Sequence, residues 1–168
     1  FLKENPKVKV EIGGHTDDTG WLVPPFAIPQ GTAVDVTLDD TWYLTVHSTR
    51  YAADVHRRQL SELPRAAAGW ASYVEGAVHL LRSKGVAIDG VTVQVSSDLP
   101  VGAGLSSSAA LVCATVSALL DATGQECLPG EIAAMAQRVE NEYVGAPVGF
   151  MDPAVVRLAE DGHALLVD

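Results

Sequence analysis

Apolar and polar residues alternate over Lys7–Ile12 (Lys-Val-Lys-Val-Glu-Ile), which predicts a half-buried strand with Val8, Val10 and Ile12 on its inner face. Gly13 and Gly14 break that strand, and His15–Gly20 is polar and turn-like. Val23–Ile28 and Thr32–Leu38 predict two further strands, with Pro24, Pro25 and Pro29 between or near them. Trp42–Ser48 alternates again and predicts a strand. The period then changes. Over Ala66–Lys84 the residues Trp70, Tyr73, Val74, Ala77, Val78, Leu80 and Leu81 fall near helical spacing, and Gly85 is a natural stop. Val91–Ser97 predicts a strand with Val91, Val93 and Val95 on one face, followed by a loop from Asp98 to Ser106. Ser107–Thr123 is small and apolar and predicts a helix that stops at Gly124. Leu128-Pro129-Gly130 is a turn, Glu131–Val144 predicts a second long helix, Gly145–Gly149 is a loop, and Ala164–Val167 begins a last strand. Strands and helices mix without regular βαβ alternation, so the fold class is α+β.

The chain has 168 residues, 48% hydrophobic and 19% charged, the profile of one folded domain with a real core. Its formal net charge of −10 argues against nonspecific binding to nucleic acid or to an anionic membrane. An anionic ligand would need local attraction from backbone N–H groups, a metal ion or a few placed cations. Cys113 and Cys127 are too few and too far apart for a disulfide framework or a zinc cluster, so they read as free thiols in a reducing cytoplasm. No run approaches the roughly 18 apolar residues of a membrane span. The oligomeric state is not legible. The chain opens on Phe1 and stops inside an apolar run, so both ends look cut.

The chemistry concentrates after the strand Val91–Ser97. Pro100-Val101-Gly102-Ala103-Gly104-Leu105-Ser106-Ser107-Ser108-Ala109-Ala110 leads straight into an apolar helix. A helix start offers unpaired N–H donors and the positive end of its dipole. Gly102 and Gly104 allow a phosphate to approach the backbone, and Ser106–Ser108 add hydroxyls. No Gly-Lys-Ser/Thr follows, so this is not a Walker loop, and Ser107 breaks a dinucleotide fingerprint. On spacing alone, an ordinary glycine turn with a serine N-cap remains an equal alternative.

The full string Pro100–Ala110 resembles the second signature of the GHMP kinases, and its three serines followed by two alanines resemble the galactokinase branch. His15-Thr16-Asp17 with Pro25-Phe26-Ala27-Ile28 resembles that branch's sugar signature. Gln137–Gly145 followed by Gly149-Phe150-Met151-Asp152 resembles its catalytic segment, and Trp70–Gly76 resembles the helix before the nucleotide loop. The resemblance implies a GHMP-kinase amino-terminal domain over residues 1–168, a two-layer mixed sheet with helices on one face. The sugar signature would span 6–28, the ATP loop 98–110 and the catalytic segment 137–153, and the carboxyl-terminal domain would be absent. The implied activity is transfer of the ATP γ-phosphate to the anomeric hydroxyl of galactose, in the cytoplasm, with magnesium. Asp152 is then the catalytic base. Ser108 and Glu140 hold the metal, and Pro100, Gly102, Ala103, Gly104, Leu105, Ser106, Ser107 and Ser108 hold the nucleotide. His15, Asp17, Gly149 and Asp152 bind the sugar.

The sequence departs from the family pattern in places. Val8 stands at the position of a phosphate-facing arginine, Val10 at an asparagine, Gly14 at a sugar-binding glutamate, Asp18 at a tyrosine and Pro153 at a glutamine. A one-residue slip exchanges the two faces of a strand, so a bulged residue near Glu11 would bring Lys7 to the arginine position as a partial surrogate. The family's third, glycine-rich signature is absent, so weak or no turnover is expected of the isolated chain. The alternatives are another GHMP small-molecule kinase, or a noncatalytic sensor or degenerate fragment that retains the fold.

Overall fold

The computed structural model describes residues 8–12, 26–63, 66, 68–100, 104–160, 163 and 165. Five strands form one sheet: β1 (Val8–Ile12), β2 (Phe26–Leu38), β3 (Tyr43–Ser48), β4 (His56–Gln59) and β5 (Val91–Ser97), in spatial order β1-β2-β5-β3-β4. All pairings are antiparallel except β3 with β5, so the sheet is mixed. The helices are α1 (Ala71–Ser83), α2 (Ser107–Ala122), α3 (Pro129–Arg138) and α4 (Met151–Leu158). A π-helical turn, Val139–Val144, continues α3.

The register stacks apolar residues into rows. Val36, Val93 and Val46 are direct partners across β2, β5 and β3. Val34, Leu44, Val46, Val91, Val93 and Val95 are buried on the face beneath the helices. The other face carries residues such as Asp35, Thr37, Thr92 and Gln94, which are exposed or half-buried. A sheet buried on one face needs only one layer of cover, and this is the expected two-layer α+β arrangement. Helix α2 is apolar almost all round and is buried continuously from Val112 to Leu120, because it runs between the sheet and the other three helices.

Both long helices end as expected. Gly85 (φ +89°) and Gly124 (φ +68°) take the left-handed conformation that stops α1 and α2. The carbonyls of the last turn are taken up by Val86 N–H to Leu81 O (3.1 Å) and Gln125 N–H to Leu120 O (2.9 Å). Helix α3 starts at Pro129, and the Glu131 carboxylate accepts the Leu128 N–H at 3.0 Å.

Several expectations need correction. Residues 26–38 form one continuous strand rather than two. Helix α1 begins at Ala71, five residues later than its periodicity indicated. The helix expected over Glu131–Val144 starts two residues earlier and changes to π geometry at Val139. Strand β4 and helix α4 were not anticipated. The strand expected over Ala164–Val167 lies largely outside the described residues. The pairing of β1 with β2 is irregular between Lys9 and Glu11, but its extra residues belong to β2: Val10 lies opposite the stretch Ile28-Pro29-Gln30. The insertion in β1 that would bring Lys7 into the arginine position is therefore not present within Val8–Ile12, and Lys7 itself lies outside the described residues. Proline has no N–H for the ladder, which explains why the irregularity falls at Pro29.

Candidate active site

Three elements converge at the N-terminus of α2. Strand β5 delivers the chain to Asp98, whose carboxylate accepts the Gly31 N–H at 2.7 Å. The Arg50 guanidinium donates to the carbonyls of Leu99 (2.8 Å) and Ser97 (3.4 Å), tethering the loop where it leaves the sheet. Leu99 is buried and Pro100 exposed, while Gly102 and Ala103 lie outside the described residues. Gly104 has φ +70°, and Ser106 also takes a left-handed conformation, φ +49°. That is an uncommon state for a residue with a side chain, and it persists only where surrounding structure enforces it. Leu105 anchors the loop by packing on the core. Ser106 occupies the N-cap position of α2 yet makes no side-chain capping bond. The simple reading of the loop as a glycine turn closed by a serine cap is therefore not what the geometry shows.

Ser107 and Ser108 lie on the first turn of α2 and are half-buried. Glu140 reaches the same place from the π turn and is only 1% exposed. Burial pushes its carboxyl above the ordinary range, a hydrogen bond from the Ser108 hydroxyl pulls it back, and the negative field of Asp152 pushes it further up. The field of Glu140 in turn raises the Tyr73 phenol, after burial, and contributes to the raised Cys113 thiol. Asp152 lies in the first turn of α4, half-buried. The loop that aims α4 is clamped to the π turn by Asn141, whose side chain accepts the Val148 N–H at 2.7 Å and donates to the Val148 carbonyl at 3.2 Å. Gly145 at φ +79° ends the π turn and lets the chain leave it. Gly149 is exposed and faces open space.

Of the residues singled out from the sequence, Ser108, Glu140 and Asp152 are brought together. Gly104, Leu105, Ser106 and Ser107 line the approach to α2, and Pro100 sits at the mouth of the loop. His15, Asp17 and Lys7 lie outside the described residues. Two residues that shape the site were missed. Arg50 sits in a turn with no motif around it. Asn141 was legible only as part of a longer matched segment. Trp70, just before α1, stacks on Tyr51 with ring centroids 6.1 Å apart.

A hydroxyl and a carboxylate in contact are hard oxygen donors, which suit magnesium. Among the described residues no group of three His, Cys, Asp or Glu is placed to hold a metal ion unaided. Magnesium on a nucleotide does not require one, because it takes one or two protein ligands and fills its shell from phosphates and water.

Comparison with known proteins matches residues 72–159 to the GHMP kinases N terminal domain. The chain belongs to the GHMP kinase family. It is 40% identical over 157 residues to a galactokinase of Mycobacterium tuberculosis, covering 94% of this chain and 43% of that protein. It is 39% identical over 158 residues to a galactokinase of Streptomyces coelicolor, covering 94% of this chain and 41% of that protein. The crystal structure of Lactococcus lactis galactokinase complexed with galactose superposes with a TM-score of 0.78 at 28% identity, covering 92% of this chain and 41% of that one. Methanococcus jannaschii mevalonate kinase shares the fold with a TM-score of 0.68 at 21% identity, covering 79% of this chain and 43% of that one. The GHMP kinase chain described here thus spans less than half the length of the curated relatives it matches. Among the described residues, no helix is long and apolar enough to cross a membrane.

Proposed function

We propose that this chain is the amino-terminal part of a galactokinase, transferring the γ-phosphoryl group of ATP to the anomeric hydroxyl of galactose. The observation that carries the reading is the convergence of Ser108, Glu140 and Asp152 from α2, the π turn and α4 at the mouth of a glycine- and serine-rich loop. The similarity to galactokinases over nearly the whole chain supports the sugar assignment.

The loop and the first turn of α2 present N–H donors and the positive end of a helix dipole to the phosphates. Ser108 and Glu140 would hold magnesium, which when bound neutralises charge on the phosphates. Glu140 must be ionised to do so, and the Ser108 hydrogen bond works in that direction. Asp152 accepts the proton of the anomeric hydroxyl as its oxygen forms a bond to the γ-phosphorus and the bond from that phosphorus to the bridging oxygen of ADP breaks. The products are galactose 1-phosphate and ADP. His15, Asp17 and Gly149 complete the sugar side of the proposal. A reaction that consumes ATP is consistent with an enzyme of the cytoplasm. The isolated chain would turn over weakly or not at all, because the family's active site lies between two domains.

The substitution of Gly14 for a family glutamate favours one second reading, a GHMP kinase acting on another small molecule. An ADP-release assay of the intact enzyme separates the two, using galactose, other monosaccharides, mevalonate and homoserine. Galactose-dependent release that falls about 100- to 10,000-fold in Asp152→Asn supports the proposal. Release on a different substrate alone moves the chain to another branch. Binding of ATP and galactose by calorimetry without ADP release makes it a sensor.

A further inference from the structure

A second buried carboxylate lies outside the site. Glu75, on α1, is wholly buried. The Tyr143 hydroxyl donates to its Oε2 at 3.1 Å, and Arg58 Nη1 donates to the same oxygen at 2.8 Å. His56 Nε2 lies 2.5 Å from Oε1. Arg58 also donates to the Glu62 carbonyl at 2.9 Å. Glu75 therefore ties the sheet's edge strand β4, on one side, to the π turn on the other. A buried carboxylate is tolerated only with such partners.

The π turn rests on α1 through the same few residues. The Tyr143 ring lies against Gly76, where an added Cβ would sit 2.8 Å from Tyr143 Cδ1 and 2.7 Å from Val139 Cγ1. The same ring lies 5.4 Å from the His79 ring, one turn further along α1. Burial and the field of Glu75 hold the Tyr143 phenol well above its ordinary range, so it stays protonated and remains a donor. Tyr143 is three residues after Glu140 within a single π-helical segment of six residues. Turns of this kind are short, rare and frequent at functional sites, and packing rather than intrinsic propensity holds them.

We propose that Tyr143 and Glu75 are positioning residues for Glu140: the hydrogen bond between them fixes the rotation of the π turn on α1, so that the Glu140 carboxylate faces Ser108 and Asp152. The proposal rests on the reading of Glu140 as a metal ligand given above. Tyr143 and Glu75 play the part of the outer partners that orient a ligating side chain in metal sites. Their role in this proposal is exerted through the backbone of the turn, not on nucleotide or sugar.

The test is a Mn²⁺ titration by electron paramagnetic resonance in the presence of ATP, with amide hydrogen exchange and thermal melting on the same samples of the intact protein. The variants are Tyr143→Phe, His56→Gln and Glu140→Ala. Tyr143→Phe keeps the ring on Gly76 and removes the single bond to Glu75. It is expected to weaken Mn²⁺ about 10-fold and to speed exchange across residues 139–144. His56→Gln alters the same carboxylate from the β4 side, so it should lower the melting temperature and leave Mn²⁺ affinity near that of the unaltered protein. Unchanged Mn²⁺ affinity in Tyr143→Phe overturns the proposal. So does an equal loss in His56→Gln, since the network would then be general support. Glu140→Ala reports separately on the metal reading. If it binds Mn²⁺ as the unaltered protein does, that reading fails, and exchange across 139–144 in Tyr143→Phe still decides whether the bond holds the turn.

Discussion

At the scale of single residues, the site is built around a conflict. Glu140 is almost fully buried, within the field of another carboxylate, and its side chain is held above the ordinary carboxyl range chiefly by lost solvation. A carboxyl whose folded value is raised opposes folding wherever the unfolded chain is ionised and the folded one resists ionisation. The penalty is absent below the unfolded value, grows as pH rises through the window between the two, and persists above it. Glu140→Gln keeps the shape and removes the charge. The variant is expected to melt at a higher temperature than the unaltered protein at neutral pH, with the difference shrinking as pH falls toward about 4, the ordinary glutamate range. Phosphoryl transfer in the intact enzyme should be lost in the same variant. Melting curves at a series of pH values, with the ADP assay on the same preparations, check both halves. A Glu140→Gln protein less stable at every pH would mean that the carboxylate is a structural anchor instead. Gain of stability with loss of activity is the usual signature of a strained functional group.

At the scale of elements, packing between α1 and the π turn decides how Glu140 is presented. Gly76→Ala puts a methyl where Val139 and Tyr143 already stand, at 2.7 and 2.8 Å. Alanine favours a helix interior over glycine by up to about 1 kcal/mol, but overpacking costs roughly 1–3 kcal/mol. The branched Val139 and the anchored Tyr143 ring have little room to yield, so a net loss of about 1–2 kcal/mol is expected from urea denaturation. An unchanged or raised midpoint would show that the π turn can slide on α1. The sequence announced neither that contact nor the turn. Periodicity carried the apolar faces well: β5 has the bounds its alternating valines indicate, and α2 ends where Gly124 stops it. It carried the rest less well, for identifiable reasons. Strand β4 reads His-Arg-Arg-Gln, a polar edge strand whose His56 and Arg58 are half-buried and pair with the Glu75 carboxylate. Helix α4 begins one residue before Asp152-Pro153, a pair that reads as a turn. A π turn has no composition of its own and looks like the end of an α-helix. The candidate site residues were nominated because they lie in contiguous matched segments. Arg50 and Glu75 were not, because their roles depend on partners 49 and 68 positions away.

At the scale of the whole molecule, stability is linked to helix α2, which packs on the sheet and follows the glycine- and serine-rich loop. Cys113 lies in the middle of α2 with no exposure at all. Burial, opposed by Arg157 and reinforced by Glu140, raises its thiol from its ordinary 9.0 to about 12. The unfolded chain releases that proton above about pH 9, whereas the folded chain keeps it to about pH 12. Between these values the unfolded state binds fewer protons, so folding stability contributed by this thiol is fully present below the lower value and lost as pH rises through the window, at about 1.4 kcal/mol per pH unit. Tyr73 and Tyr143, whose phenols are also raised by burial, push in the same direction. Cys113→Ser fills nearly the same space without an ionisable proton in this range. It is expected to start less stable at pH 8, because a hydroxyl replaces a thiol in an apolar helix. Its stability should then fall more slowly than that of the unaltered protein between pH 9 and pH 10.5, with the gap closing by about 2 kcal/mol over that range. Urea denaturation at half-unit pH steps measures the gap directly. Parallel curves would place the alkaline loss elsewhere, on the phenols, and would show that α2 opens locally enough for Cys113 to ionise without global unfolding. In that case the helix beneath the glycine- and serine-rich loop would be looser than its burial implies.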